Sequence, residues 1–520
     1  MVTNTDTSES LQQLVRGTLI AAIGTIVGIL IQFITRVFIA RYGMESNYGV
    51  FSLAVAVLNI MTIIGCLGMQ IGSMRYVAFY SSKGLIDKLQ KSLGITLQIT
   101  TLSVLTVTVL FFFMSQFIAL NIFHSNDLEL PLKLFIVGIP FFAFINIITA
   151  ISRGMGDVKP YALIQIALFN LLFFAFLVFI VIFQYAFIDV YYVYLLTLFI
   201  TLVATVVYFQ KTNRVKVQFF TRNDIPLVKE IMRFSLPLMG MAILHISMLY
   251  INTIMLGLLD TMDNVGLFNA AYPLANMLIV PLDAMTPIYL PVITGLYANN
   301  KMQELRDNYR IFTKWLFALT YPVFIIVFLF AETILTAIFG INYVYGATAL
   351  RVLSIGFLCS SLLSLGGINI IAFGSSKYIM GAFLIATIVN LLMCYFMIPM
   401  LGITGSAIAG TFSLILLNIM YLAKSYQAGK AQPLSWSLLK PVAIATVPAV
   451  ILKLAFSSTI LPINALQIVL ILAAFFVLYI LGVLITRCFD RKDMAVFSEI
   501  EKLSGRRMPF IHRFLEKVMP

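Results

Sequence analysis

The chain has 520 residues, 61% of them hydrophobic and 11% charged, with a mean hydropathy of +1.01 and a net charge of +13. Soluble domains run near ~45–50% apolar and ~25% charged, so there is too little polar surface here for a soluble protein of this length. In a soluble chain the basic excess would suggest nucleic acid; in a membrane protein it first asks which side carries the charge.

The N-terminal stretch 1–10 is polar and there is no Lys or Arg before Arg16, so the basic start of a secretory signal is lacking, and the first apolar run is expected to be retained. About 20 apolar residues cross a bilayer as a helix. Fourteen such runs are predicted: 18–40, 48–70, 92–118, 131–152, 161–184, 189–209, 231–256, 264–296, 311–332, 346–371, 377–399, 402–424, 440–460 and 463–486. The eighth contains Pro273, Pro281, Pro287 and Pro291 and should bend. With both termini cytoplasmic, the inner segments hold 29 of the 34 Lys and Arg residues, and Arg36, Arg41, Lys133, Arg351 and Lys453 remain on or near the outer half. The net charge is then mainly the positive-inside rule, and nucleic acid is not implied. The tail 487–520, with Val496, Phe497, Ile500 and Leu503 beside Glu499, Glu501 and Lys502, reads as an amphipathic helix on the inner leaflet.

Two segments repeat. Asn47-Tyr-Gly49-Val-Phe51 aligns with Asn264-Val-Gly266-Leu-Phe268 at an offset of 217, as do Ala54 with Ala271 and Asn59 with Asn276. At an offset of 220, Gly154 aligns with Gly374, Ala162 with Ala382 and Asn170 with Asn390. Two six-helix halves entering from the same side follow, with a path at their interface. The expected organisation is an N-terminal lobe 1–209, a cytoplasmic linker 210–230 and a C-terminal lobe 231–424. An appended helix pair 440–486 and the cytoplasmic tail 487–520 complete it.

Polar residues inside spans are costly and face protein or water. On the first helix Thr18, Thr25, Gln32 and Arg36 share one stripe, five residues short of Arg41. Arg36 either snorkels to the outer headgroups or walls a cavity for an anionic group. On the seventh helix His245 and Asn252 share a face, His245 as a hydrogen-bonded structural group or a proton carrier. Asp283 is the one acid well inside a span, a partner for an Arg or for amides freed by proline, or an ion-coupling site. Arg351 is expected to snorkel. Arg75 and Arg153 end helices on the inner side, as topology signals or as inner-gate contacts with phosphate. Cys66, Cys359, Cys394 and Cys488 are scattered and suit packing. No phosphate-binding loop, no metal-ligand cluster and no sizeable outer loop is present in the sequence, so neither a built-in ATPase, a metal site nor an outer catalytic domain is expected.

Leu350-Arg-Val-Leu-Ser354, Asn390-Leu-Leu, Ile398-Pro399, Gly402-Ile-Thr-Gly-Ser-Ala-Ile-Ala-Gly410, Phe234-Ser-Leu-Pro237, Gly49 and Gly68 with Arg75-Tyr-Val-Ala78 resemble the polysaccharide-transporter branch of the MOP superfamily, over about residues 15–485. The resemblance implies an all-α polytopic membrane protein with fourteen transmembrane helices, two pseudo-symmetric lobes plus helices 13–14, and a central cationic cavity. It implies a non-enzymatic flippase in the cell membrane that turns an oligosaccharide on a polyprenyl phosphate or diphosphate to the outer leaflet. No cofactor is expected, and polymerase and glycosyltransferases are its expected partners. Arg36 and Arg41 fit the cationic cavity by position. The family often has Asp where this chain has Asn252. The rival readings are a MATE-type multidrug antiporter, a lipid II flippase, and a membrane enzyme of polysaccharide polymerisation.

Overall fold

The computed structural model describes residues 4–212, 224–433, 436–457 and 465–486. The proposed amphipathic tail and most of the linker lie outside these residues, and the side chain of Thr18 is not described. Every regular element among the described residues is helical. The chain divides into two compact units, 1–266 and 267–520.

The first unit contains α1 (Asn4–Cys66), α2 (Met69–Ser82), α3 (Ile86–Phe117) and α4 (Glu129–Gly154). A π-helical segment, Pro160–Leu168, runs into α5 (Phe169–Ile182) and is followed by α6 (Asp189–Thr212), α7 (Ile225–Leu259) and the start of α8 (Met262–Asn276). The second holds the rest of α8, α9 (Val280–Ala298), α10 (Met302–Leu329), α11 (Ala331–Ile338), α12 (Ala347–Leu363), α13 (Leu365–Ala372), α14 (Ser376–Gly429), α15 (Leu439–Ser457) and α16 (Ala465–Ile485). Helices are what lipid permits, because they satisfy backbone groups within the segment. Among the described residues ten helical stretches are long and apolar enough to span a bilayer. Two of them, 24–66 and 377–429, run 43 and 53 residues, about twice what one crossing takes. Each breaks at a left-handed residue, Met44 (φ 56°) and Gly402 (φ 54°).

The expected bend in the eighth span is present. A 3-10 turn, Met277–Ile279, separates α8 from α9, with Pro281 in the first turn beyond it. A proline lacks the N–H that would continue the ladder, so the break falls where the sequence puts it.

The backbone carries the repeat beyond the aligned side chains. Left-handed residues recur at offsets of 216–218: Gly84 with Asn300, His124 with Gly340, Gly156 with Gly374, and Gln184 with Gly402. Gly374 therefore matches the turn at Gly156 and not the helical Gly154 to which the letters aligned it. The other aligned pairs share environments, with Ala162 and Ala382 at 0% and 1% exposed and Asn170 and Asn390 at 6% and 1%.

Small residues and aromatic rings pack the first unit. Phe135 of α4 stacks on Tyr194 of α6 at 4.6 Å between centroids, and Phe51 and Phe173 close the cluster. Such pairs add roughly 0.5–1.5 kcal/mol beyond burial. In the second unit buried polar groups join helices. On α14, Thr411, Asn418 and Ser425 are spaced by seven and meet, in turn, the Val352 carbonyl (2.9 Å), Ser360 and Ser364 (both 2.8 Å), and Asn369 (3.2 Å). The Tyr289 hydroxyl donates to Asn369 at 2.8 Å. In an apolar surround these bonds hold helices together. On α15 and α16, Ala445, Ala449 and Phe475 pack on α10, where the Tyr479 hydroxyl donates to the Ala318 carbonyl at 2.7 Å.

Candidate functional site: a cation among phenols on α1

Arg36 lies eight residues before the break at Met44, about 12 Å along the helix at 1.5 Å per residue. It is half-buried. Among the described residues it makes no ion pair, and its charge acts on the hydroxyls of Tyr48, Tyr194 and Tyr250, from α1, α6 and α7. Tyr48 and Tyr194 are 2% and 8% exposed. Three helices therefore bring phenols within electrostatic range of the guanidinium. With no acid paired to it among the described residues, the charge is able to hold an anion.

Within the α1 stripe, Thr25 is half-buried, and Gln32 and Arg41 are exposed. The stripe borders the packed face of the helix, which includes Gly28, Thr35 and Ile39, on one side. On the other is an exposed apolar arc of Ile26, Leu30, Ile34 and Phe38. Gly28 lets α1 lie against the π segment, because a Cβ there would collide with Ile166. On α7, His245 is exposed and Asn252 is 5% exposed, beside Thr253 at 2%. No residue from 236 to 250 on α7 is fully buried, and Gly240 has no heavy atom within 4 Å of its would-be Cβ. Thus α7 is anchored at its two ends, at Ile231 and Ser235 and again over 251–257, and its middle borders open space.

Arg75 is exposed and lies over the Phe234 ring at 3.9 Å, while the Tyr76 hydroxyl donates to the Glu230 carbonyl at 3.3 Å. Gly68 and Gly72 allow this approach, since a Cβ on either would strike Ser235. Lys91 pairs with Asp224 at 3.3 Å beside the same end of α7. Arg153, half-buried, covers the Tyr161 ring at 4.4 Å.

In the second unit Asp283 is exposed in the first turn of α9, on a face shared with Val280, Pro287, Pro291 and Gly295. No hydrogen bond or ion pair holds it among the described residues. An Arg partner for Asp283 is thus absent from that set. Arg351, expected to snorkel, pairs instead with Glu332 of α11 at 2.9 Å and donates to the Phe328 carbonyl at 3.2 Å. A local acid thus answers the charge. No group of three or more metal-ligating side chains occurs among the described residues, and Cys66, Cys359 and Cys394 are free thiols.

Tyr48, Tyr194 and Tyr250 were not legible as site residues. Tyrosine is counted with the hydrophobic residues of the composition, and only the position of Tyr48 inside the repeated Asn-Tyr-Gly motif set it apart.

At the other end of α1 the repeat becomes a contact. A Cβ on Gly49 would land on the Met262 carbonyl, and a Cβ on Gly266 would land on the Glu45 carbonyl. The offset of 217 that relates Gly49 to Gly266 also relates Glu45 to Met262. The two turns therefore approach each other reciprocally, each glycine under the other's carbonyl.

A family profile described as "Polysaccharide biosynthesis protein" matches residues 14–297. The chain belongs to that family. Over 155 residues it is 26% identical to the stage V sporulation protein B of Bacillus subtilis, a match spanning 30% of each chain. Among solved structures it is similar to the lipid II flippase MurJ in an inward closed conformation, with a TM-score of 0.70 and 14% identity, covering 91% of this chain and 98% of that one. It is also similar to an inward-facing multidrug resistance MATE family transporter of the MOP superfamily, with a TM-score of 0.68 and 16% identity over 80% of this chain and 98% of that one. A MOP superfamily transporter from Pyrococcus furiosus, described as having a binding pocket of reverse polarity, is similar at a TM-score of 0.55 and 18% identity, covering 80% of this chain and 95% of that one. The protein is a multi-pass membrane protein with the MOP fold.

Proposed function

We propose that the protein is a flippase that carries a lipid-linked oligosaccharide, on a polyprenyl phosphate or diphosphate, from the inner to the outer leaflet. The observation that carries this reading is Arg36, a cation within a membrane helix that makes no ion pair among the described residues and has phenols in electrostatic range. A drug cation would be repelled there, whereas a phosphate is attracted; family membership supports a glycan substrate. Thr25, Gln32, Arg41, His245 and Asn252 would complete the wall, and Arg75 and Arg153 would meet phosphate at the inner side.

Moving a hydrated glycan through lipid strips its hydroxyls of water, which costs several kcal/mol per unpaired group. A polar path replaces those partners while the prenyl chain stays in the bilayer. The arms of α1 and α14 on either side of Met44 and Gly402, with the eight other spans of sufficient length counted singly and the α15–α16 pair, support fourteen crossings with both termini inside. Two six-helix lobes would then rock about the path. Asp283, exposed on α9, would couple a cation, since a membrane acid is tolerated where water reaches it. Polymerase and glycosyltransferases would act before and after the flip.

The test is export of surface glycan from cells that depend on this protein. Arg36→Ala should cut export while leaving membrane insertion intact, and Arg36→Lys should restore part of it. Full export from Arg36→Ala would refute the reading.

A further inference from the structure

The first unit holds a second polar site that the Arg36 wall does not include. Along one face of α4, Asn146, Thr149 and Arg153 succeed one another over seven residues, about 10 Å of helix. The π segment opposite supplies Tyr161 and Gln165. The Gln165 amide donates to the Asn146 side-chain oxygen at 2.7 Å, and the Thr149 hydroxyl donates to the Gln165 oxygen at 2.7 Å. One turn towards the end of α4, the Arg153 guanidinium lies over Tyr161. Its Nε is buried without a hydrogen-bond partner among the described residues. The nearest acid in sequence, Asp157, is engaged elsewhere, accepting from the Tyr208 hydroxyl at 2.9 Å and the Lys159 amide at 3.1 Å.

Three features distinguish this track from helix glue. Asn146, Arg153, Tyr161 and Gln165 are all half-buried, so the track borders accessible space. Among the described residues the amide pair also keeps donors unspent: Asn146 has both N–H groups and Gln165 one. Nine residues of π-helix are rare and recur at functional sites, because the wider turn costs hydrogen-bond quality. The repeat supplies a control within the chain. At the 218 offset Asn146, Thr149 and Arg153 correspond to Ser364, Gly367 and Ile371, so the fold does not require the polar set.

We infer that Asn146, Thr149, Arg153, Tyr161 and Gln165 form a docking site for a phosphorylated saccharide at the end of α4 that the charge pattern assigns to the inside. Arg153 takes the phosphate, and the Asn146 and Gln165 amides take sugar hydroxyls one to two turns deeper. The inference rests on the flippase reading and specifies where its substrate first binds. The same cation suits the phosphate of a bilayer phospholipid, and the probes separate the two.

The full chain in phosphatidylcholine nanodiscs is titrated with farnesyl diphosphate, with the same lipid carrying N,N′-diacetylchitobiose, and with nanodiscs doped with phosphatidylglycerol. Binding is read by thermophoresis, and folding by the melting midpoint. Arg153→Gln should weaken both farnesyl probes about tenfold or more, with phosphatidylglycerol unchanged and Arg153→Lys close to wild type on the bare diphosphate. Gln165→Leu should weaken only the disaccharide probe, and it tests the site even if Arg153→Gln misfolds. Wild-type affinity in both variants would overturn the site while leaving the flippase reading standing. Equal loss of phosphatidylglycerol would make Arg153 a bilayer contact and overturn it as well. Failure of the wild type to bind the disaccharide probe would remove both readings.

Discussion

Gly266→Ala puts a methyl group where α8 meets the turn after the first arm of α1. The added Cβ would sit on the Glu45 carbonyl oxygen and 2.8 Å from its carbon, where ordinary contact begins at 3.4 Å. The turns must therefore part by about half an ångström or more, and the obstacle is backbone, which has no rotamer to yield. Overpacking of this kind costs about 1–3 kcal/mol. Against it stands the helix propensity gained when Ala replaces Gly, about 1 kcal/mol. A net loss of up to ~2 kcal/mol is expected, read as a lower melting midpoint of the purified protein in nanodiscs. Gly49→Ala should behave alike, since the contact is reciprocal. The double variant should lose less than the sum, because the first methyl already separates the turns on which the second would press. Gly240→Ala and Gly295→Ala are the controls: with no atom within 4 Å, both should leave the midpoint level or raise it. A Gly266→Ala midpoint equal to that of Gly240→Ala, or strict additivity with Gly49→Ala, would refute the reasoning.

Asn418→Leu removes the bonds to Ser360 and Ser364 and should lower the melting midpoint by the equivalent of about 1–2 kcal/mol; an unchanged midpoint would deny the bonds their role. Arg351→Gln breaks the Glu332 pair, but both side chains are partly exposed, so after screening the loss should stay within about 1 kcal/mol. A larger fall measured by the same melt would mean that the Phe328 carbonyl contact dominates. Asp283→Asn should change the sodium or proton dependence of transport in proteoliposomes, and an identical dependence would exclude it as the coupling site.

The class of the protein and much of its plan were legible in the letters. Length and hydropathy identify membrane helices because lipid offers no partner for an unpaired backbone. Prolines placed the break in the eighth span because a missing N–H acts locally. The repeat was visible at Gly49 and Gly266 for the same reason: only glycine fits under a carbonyl. The role of Arg351 was not legible, because its partner Glu332 comes from another helix and sequence spacing does not report that encounter. The same holds for Tyr194 and Tyr250, which come within electrostatic range of Arg36 only through the tertiary fold.

The sequence by itself determined that this is a helical membrane protein with a few intramembrane polar residues, since those properties depend on residues close together along the chain, and it showed a repeat, since that needs only a comparison of letters. Tertiary structure alone decided which cations were answered by acids. Arg351 found Glu332, Arg36 found no acid among the described residues, and Arg153 found a ring beside a pair of amides. Charge pairing depends on distances between helices, and those are set by packing.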